Sequence, residues 1–148
     1  MTGADMAGSA SEAKEPFSAR ISRATLSRLR SRADRVGVAQ TTLAERYIDE
    51  GLRMDEHPLI SFREGAGGRR PALVGTRLDV AQVIETIRQN GNSVAEAADY
   101  LGLAQAHVEA CAAYYVAYRH EVDEWTAREH EAAEQAEISW RRRRELFA

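Results

Sequence analysis

The order of the elements between Phe17 and Leu52 is the feature that most constrains the fold of this chain. One segment, PFSARIS, alternates apolar and polar residues as a β-strand does, and two short amphipathic helical patterns separated by RVGVAQ follow it. A unit of about 40 residues with a single strand cannot complete a sheet and a core by itself. We therefore expect this segment to fold as half of an intertwined dimer.

The strand segment has two faces, because successive side chains of a strand point to opposite sides. Phe17, Ala19 and Ile21 share the side that is predicted to face inward, and Ser18 and Arg20 share the outer side. A two-stranded ribbon, with one strand from each subunit, fits the major groove of duplex DNA. Arginine can donate two hydrogen bonds to guanine and serine can donate or accept one, so we expect the outer side to read base edges.

Two helical patterns follow this strand. The first runs from Arg23 to Val36, with Ser22 placed to cap its start and Gly37 to end it in the left-handed conformation. The second runs from about Thr41 to Met54. The residues predicted to be buried are Leu26, Leu29, Ala33 and Val36 in the first helix and Leu43, Ala44, Tyr47, Ile48 and Leu52 in the second.

The residues PFSARISRATLSRLRSRADRVGVAQTTLAERYIDEGL resemble the ribbon-helix-helix family of CopG, Arc and MetJ type. The resemblance rests on the strand, the serine between strand and helix, the leucines of the first helix and the glycine turn. It implies that the amino end of the second helix holds a DNA phosphate, although Ala39 stands where a capping serine is common. The DNA contacts expected are Ser18, Arg20, Ser22, Arg23, Gln40, Thr41 and Thr42.

Charge is divided unevenly along the chain. Residues 16–53 hold eight arginines and four acidic residues, a net charge of plus four, whereas the whole chain carries minus three. Positive charge is thus concentrated where DNA binding is expected. A solvated helix face is the alternative for Arg28, Arg30, Arg32 and Arg35, because charge runs are usually surface.

A second module follows, for which the sequence predicts a β-hairpin and then helices. HPLISFREG is typical of a strand, GAGG of a turn, and RRPALVGTRLDV of a second strand bent at Gly75. Ser93 with Glu96 has the capping-box spacing at a helix start. The helical patterns cover residues 80–89, 93–101 and 105–118. The residues predicted to face the core are Val94, Ala97, Ala98, Leu101, Val108, Ala112, Tyr115 and Val116.

The segment from His57 to Asp123 resembles family 433 of the domains of unknown function in its HP start, its RRPALVGTRLDV strand, its NGNSVAEAADYLGL helix and turn, and its YYVAYRHEVD ending. That resemblance implies a small helix-turn-helix-like fold and an antitoxin paired with a PIN-type nuclease. Tyr100-Leu101-Gly102 replaces the tyrosine-proline usual there, a departure that concerns packing. Eight acidic residues against five arginines between Met54 and Tyr118 favour a protein-contact or dimer role over DNA binding.

The last region, from Arg119 to Ala148, continues as a long helix whose thin apolar stripe cannot stabilise it alone, so we expect it to pack on a partner. Its ending, ISWRRRRELFA, combines arginine and aromatic residues, which are enriched at binding hot spots. A guanidinium can pair with the carboxylates of a PIN-type active site. A further nucleic-acid contact and a solubilising end are the alternatives. The residues expected to bind toxin are Trp125, Trp140, Arg141, Arg142, Arg143, Arg144, Leu146 and Phe147.

Signals for catalysis or cofactor binding are weak. GAGGRR lacks the lysine-serine or lysine-threonine ending of a phosphate-binding loop. His107 and Cys111 lie four apart on one predicted helix, but two ligands without a second pair favour packing over a metal site. No nucleophile, base and orienting acid converge. We therefore expect no catalytic residue, no metal and no cofactor.

These patterns predict a mainly α-helical protein with short β-segments in four regions: a disordered lead (1–15), a ribbon-helix-helix domain (16–54), a helix-turn-helix-like domain (55–118), and a C-terminal helix with an arginine-rich tail (119–148). No membrane-spanning run or secretory signal is evident, which predicts a cytoplasmic location. We expect a VapB-like antitoxin of a type II toxin-antitoxin system that represses its own operon as a dimer. The alternative is a stand-alone transcription regulator whose later module senses a ligand or sets the oligomer.

Overall fold

A computed structural model of the chain describes residues 13–65 and 67–148. The described residues are mainly helical and contain a two-stranded antiparallel sheet, in agreement with the predicted fold class. They form two compact units, one up to Glu45 and one from Arg46 onward. Most of the predicted disordered lead and residue 66 of the predicted GAGG turn lie outside the described residues. The four predicted domain boundaries stay a prediction.

Helix α1 spans Arg23–Val36, as predicted. Ser22 caps its amino end, because the Ser22 Oγ accepts a hydrogen bond from the backbone N–H of Thr25 at 3.1 Å. Gly37 ends the helix with φ of +69°, a left-handed conformation that costs glycine little. Its fully buried residue is Ala33, and the half-buried ones are Leu26, Leu29 and Val36.

Residues 13–22 precede α1 without a regular hydrogen-bonded element. The strand predicted at PFSARIS is therefore not confirmed, because a strand needs a ladder of hydrogen bonds to a neighbour and no other described segment pairs with it. Phe17 is 79% exposed, and Ala19 and Ile21 are exposed as well. The predicted burial of these three side chains is thus not found within the single chain.

Helix α2 spans Gln40–Glu56 and is slightly longer than predicted. Leu43 is fully buried, and Ala44 is half-buried. The other apolar residues that the periodicity assigns to a core, Tyr47, Ile48 and Leu52, are exposed. This helix is amphipathic, and the described chain leaves much of its apolar stripe uncovered.

A β-hairpin follows α2 in the larger unit. Strand β1 (Ile60–Gly65) pairs with strand β2 (Gly68–Leu73) so that Ile60 lies opposite Leu73. The second strand is shorter than RRPALVGTRLDV predicts. The carbonyl of Leu73 accepts hydrogen bonds from the backbone N–H and the Oγ1 of Thr76, and these close a turn before Asp79.

Four helices complete the larger unit: α3 (Val80–Gln89), α4 (Val94–Leu101), α5 (Gln105–Ala117) and α6 (Arg119–Leu146). Their bounds agree with the prediction to within about two residues. Ser93 caps α4 by accepting a hydrogen bond from the backbone N–H of Glu96. The buried core of this unit includes Ile60, Leu73, Val80, Val83, Ala97, Ala98, Val108, Cys111, Tyr114, Val122 and Trp125.

One face of α5 differs from the prediction. Val116 is 81% exposed, so its predicted burial is wrong, and Tyr115 is only half-buried. Tyr114 is fully buried instead. Helix α5 reads QAHVEACAAYYVA and is apolar almost all round after its first turn, so periodicity alone cannot select the face that meets the core.

Helix α6 has 28 residues, which corresponds to a length of about 40 Å at 1.5 Å per residue. Val122 and Trp125 are its buried residues. Every residue from Ala127 to Ala148 is exposed. Across the described residues, none of the helices has both the length and the apolar composition required to cross a membrane.

Candidate nucleic-acid and partner-binding sites

The smaller unit carries arginines that are exposed and without a carboxylate partner. The ion pairs among the described residues include none of the six arginines of this unit. Arg28, Arg32 and Arg35 line a shallow groove on α1 together with Ser27 and Ser31, and no acidic side chain lines that groove. This face of α1 therefore has the charge expected of a surface that binds phosphate.

The amino ends of α1 and α2 also favour anions. Neither helix has an acidic residue in its first turn. Arg23 opens α1, where it adds positive charge to the positive end of the helix dipole. Ala39 precedes α2 and has no polar side chain with which to cap it, so the first backbone N–H groups of α2 are available to an anion.

Two of the predicted DNA contacts already have partners within the chain. Ser22 caps α1, and the Gln40 Oε1 accepts a hydrogen bond from the Arg30 Nε at 3.3 Å. That bond brings the start of α2 beside α1. The predicted DNA contacts whose side chains are exposed are Ser18, Arg20, Ser22, Arg23, Thr41 and Thr42.

The end of α6 forms a second exposed surface. Trp140, Arg143, Arg144 and Phe147 surround a shallow apolar patch, and the Arg144 guanidinium lies 4.8 Å from the centre of the Trp140 ring. Phe147 is 90% exposed, and Arg141, Arg142 and Leu146 are exposed too. Aromatic and arginine side chains are thus presented together without cover, as at binding hot spots.

Trp125 does not belong to this surface. It is 8% exposed and packs in the core of the larger unit, so a toxin could reach it only if this part of the core opened, and its role as a toxin contact stays a prediction. The helical spacing that relates it to Trp140 cannot show where α6 leaves the core.

Arg53, near the end of α2, is the centre of a polar cluster in the larger unit. Its Nη1 donates hydrogen bonds to the Tyr114 Oη at 2.9 Å and to the Glu121 Oε2 at 2.7 Å, and its guanidinium lies 4.0 Å from the centre of the Tyr118 ring. Burial by itself lowers the pKa of Arg53, but the bonds to Glu121 and Tyr114 outweigh it and raise that pKa. The cluster holds the end of α2 against α5 and α6.

Two ion pairs around β2 could not be predicted from the sequence pattern. Arg69 binds both carboxylate oxygens of Glu50, and the Arg70 Nε lies 3.1 Å from the Asp79 Oδ2. Asp79 also caps α3 in a capping box with Gln82. The Asp79–Gln82 spacing could have been found in the sequence, whereas the ion pairs join distant positions and could not.

Cys111 is fully buried, and burial, with a smaller contribution from the charge of Asp79, raises the pKa of its thiol to about 12. A thiol binds metal as the thiolate, so this environment disfavours the His107–Cys111 pair as a metal site. The described residues contain no cluster of three or more His, Cys, Asp or Glu side chains placed to hold a metal ion.

Cys111 should therefore react slowly with a thiol-alkylating reagent in the folded protein. At pH 8, a thiol pKa of about 12 in place of about 8.5 lowers the thiolate fraction by roughly three orders of magnitude, and burial limits access further. Mass spectrometry over time, with the urea-unfolded chain as the control, measures this rate. The chain has one cysteine, so equal rates in the two states would mean that Cys111 is not in the core.

The fold thus defines a helical protein with a basic amino-terminal unit and a larger unit built on a β-hairpin. Residues 60–115 match the model of a family described as "Protein of unknown function (DUF433)", which confirms that part of the resemblance. The match runs from β1 into α5 and covers less than half of the chain. No curated protein and no solved structure matches the chain.

Proposed function

We propose that this protein is an antitoxin of a type II toxin-antitoxin system. Residues 16–54 form half of a ribbon-helix-helix dimer that binds operator DNA, and the end of α6 neutralises a PIN-type ribonuclease. The observation that carries the proposal is that the same short segment combines uncovered apolar side chains with arginines that have no carboxylate partner. The uncovered apolar side chains need a second protein surface to bury them. The arginines without a carboxylate partner attract an anion.

The apolar side chains support the dimer. Phe17, Ile21, Tyr47, Ile48 and Leu52 are large and exposed in the single chain. Full burial of a large apolar side chain contributes about 1.5–3 kcal/mol, and these side chains, which are 45–79% exposed, gain only part of it in the single chain. A second copy of the segment would cover them, and pairing of the two PFSARIS segments would supply the missing ladder of backbone hydrogen bonds.

The distribution of charge supports DNA as the anion. Arg20 and Ser18 lie on the exposed extended segment, where a ribbon would present them to base edges. The groove of Arg28, Arg32 and Arg35 on α1 and the uncapped start of α2 are suited to phosphates. A steep salt dependence of DNA binding is the expected consequence.

The end of α6 supports a protein partner. Most helical stability in proteins comes from packing of an apolar face, and residues 127–148 are exposed throughout in the single chain. Four consecutive arginines lie beside Trp140 and Phe147, a combination suited to an acidic cleft with an apolar rim. The carboxylate-rich active site of a PIN-type nuclease would supply the acidic cleft.

Co-expression with a nuclease encoded by a neighbouring reading frame tests the proposal. We expect the nuclease to arrest growth when expressed alone, to be tolerated with this protein, and to copurify with it. The complex should also retard a DNA fragment from the promoter of the two genes. Retardation of that DNA without any binding of the nuclease would instead favour the stand-alone regulator.

Ile48→Asp should convert the dimer into a monomer. Ile48 is exposed in the single chain, so the monomer tolerates the aspartate, whereas a dimer would bury an unpaired charge at high cost. Sedimentation velocity at micromolar concentration measures the change. Val116→Asp, an aliphatic-to-acid change at an exposed position of α5, should leave the dimer intact. An Ile48→Asp protein that is still dimeric would exclude this interface.

A further inference from the structure

A cavity of about 140 Å³ lies within the larger unit, where β2 and the start of α3 face α6. Three arginines, two carboxylates and a group of apolar side chains line it. The lining residues include Arg69, Arg70, Arg128, Asp79, Glu121 and Trp125. The α6 side of the cavity is built from residues beyond the segment that matches the DUF433 family.

The charges around the cavity leave one guanidinium unbalanced. Arg69 is paired with Glu50 and Arg70 with Asp79, and Glu121 is paired with Arg53. Arg128 is exposed and forms no ion pair within the described part of the chain, and its guanidinium lies 5.2 Å from the centre of the Trp125 ring. The three arginines and two carboxylates of the lining therefore leave one positive charge.

One buried donor at the cavity has no acceptor among the described residues. The Trp125 Nε1 is buried and makes no hydrogen bond, whereas the Arg70 Nε, which is also buried, faces the Asp79 Oδ2. A buried donor without a partner costs about 1–3 kcal/mol, and such groups are rare in folded proteins. An acceptor that enters the cavity would remove this cost.

Apolar side chains complete the lining and limit the size of a ligand. Pro71, Ala81 and Val122 provide an apolar wall beside the Trp125 ring. A cavity of about 150 Å³ holds benzene, so about six heavy atoms fit. This apolar wall is suited to an aliphatic group. Inorganic phosphate is fully hydrated and has no such group to pack against it.

We propose that this cavity binds a small monocarboxylate with a short aliphatic tail. The single negative charge balances the lining, with Arg128 as its ion-pair partner. A carboxylate oxygen accepts a hydrogen bond from the Trp125 Nε1, and the tail packs on Pro71 and Val122. A bound carboxylate links β2 to α6 and so stabilises the first turns of α6.

Titration with butyrate, which has six heavy atoms, tests the site in the full-length protein. The Trp140→Phe background leaves Trp125 as the sole tryptophan, so its fluorescence reports on the cavity. We expect a saturable change with half-saturation near millimolar concentration, together with a rise in melting temperature. Sodium chloride at equal ionic strength and butanamide, the neutral analogue of butyrate, should give neither effect.

Arg128→Gln should weaken butyrate binding by about tenfold, because it removes a charged hydrogen-bond partner. Arg77→Gln is the matched control: Arg77 is also exposed and free of ion pairs among the described residues, but it lies outside the cavity lining. Its affinity for butyrate should not change. A response of the same size with butanamide, equal affinities in the two variants, or no saturable response would each overturn the proposal.

Discussion

Deletion of residues 140–148 is expected to abolish neutralisation of the proposed toxin while leaving DNA binding unchanged. Trp125 is the last buried residue of α6 and every residue from Ala127 onward is exposed, so the truncation removes no core contact. It removes the four arginines together with Trp140 and Phe147. Colony counts after co-expression with the nuclease should fall by about a hundredfold or more, because several hot-spot side chains are lost together.

A second variant separates charge from geometry at this surface. Replacing Arg141, Arg142, Arg143 and Arg144 together by lysine keeps the charge but removes the planar guanidinium that binds a carboxylate in two places. We expect intermediate neutralisation, with the operator bound as by the unmodified protein. Full neutralisation by the truncated chain would mean that the toxin contacts lie elsewhere, and loss of operator binding would mean that the tail serves DNA.

Arg20→Ala is expected to remove the preference for operator over unrelated DNA. A bidentate arginine–guanine contact discriminates by about 1–3 kcal/mol, and the proposed dimer contains two such arginines. The specificity ratio should therefore fall by at least about tenfold. Arg20 is exposed, so the melting temperature should stay the same. Fluorescence anisotropy with operator and scrambled duplexes measures both affinities.

Arg32→Ala is the matched control for this experiment. Arg32 lies in the α1 groove, where a phosphate contact is expected. Its loss should weaken binding to both duplexes alike and reduce the slope of affinity against salt by about two, which is about one for each subunit of the dimer. If Arg20→Ala also weakens both duplexes alike, Arg20 contacts phosphate and the base-reading role of the extended segment is wrong.

The helices were predictable because their signals lie in residues a few positions apart. Ser22 caps the start of α1 and Gly37 ends that helix, as predicted. Ser93 caps the start of α4, also as predicted. The hairpin was predictable from its glycine-rich turn between two strand-like runs, but not the early end of β2 at Leu73, which depends on a local turn. The strand predicted at PFSARIS is a different case, because it is absent from the single chain and would pair only with a second copy in the proposed dimer.

Side-chain environments were less predictable. Helix α5 is apolar on nearly every face, so the sequence could not select Tyr114 over Val116 for the core. Trp125 and Trp140 occupy one helix and share a residue type, yet the first is buried and the second exposed. The difference depends on how far the hairpin and α3 extend along α6, which is a property of packing.

The sequence by itself determined the elements of this protein: where the helices begin and end, the hairpin, and the concentration of arginine in the first 53 residues. These properties depend on local hydrogen bonding, periodicity and composition. Only the tertiary structure decided that Arg53 joins Tyr114 and Glu121, and that Arg70, Trp125 and Arg128 meet at one cavity. Arg53 lies 61 positions before Tyr114, and Arg70 lies 55 positions before Trp125, so only the packing of the core brings them within contact distance.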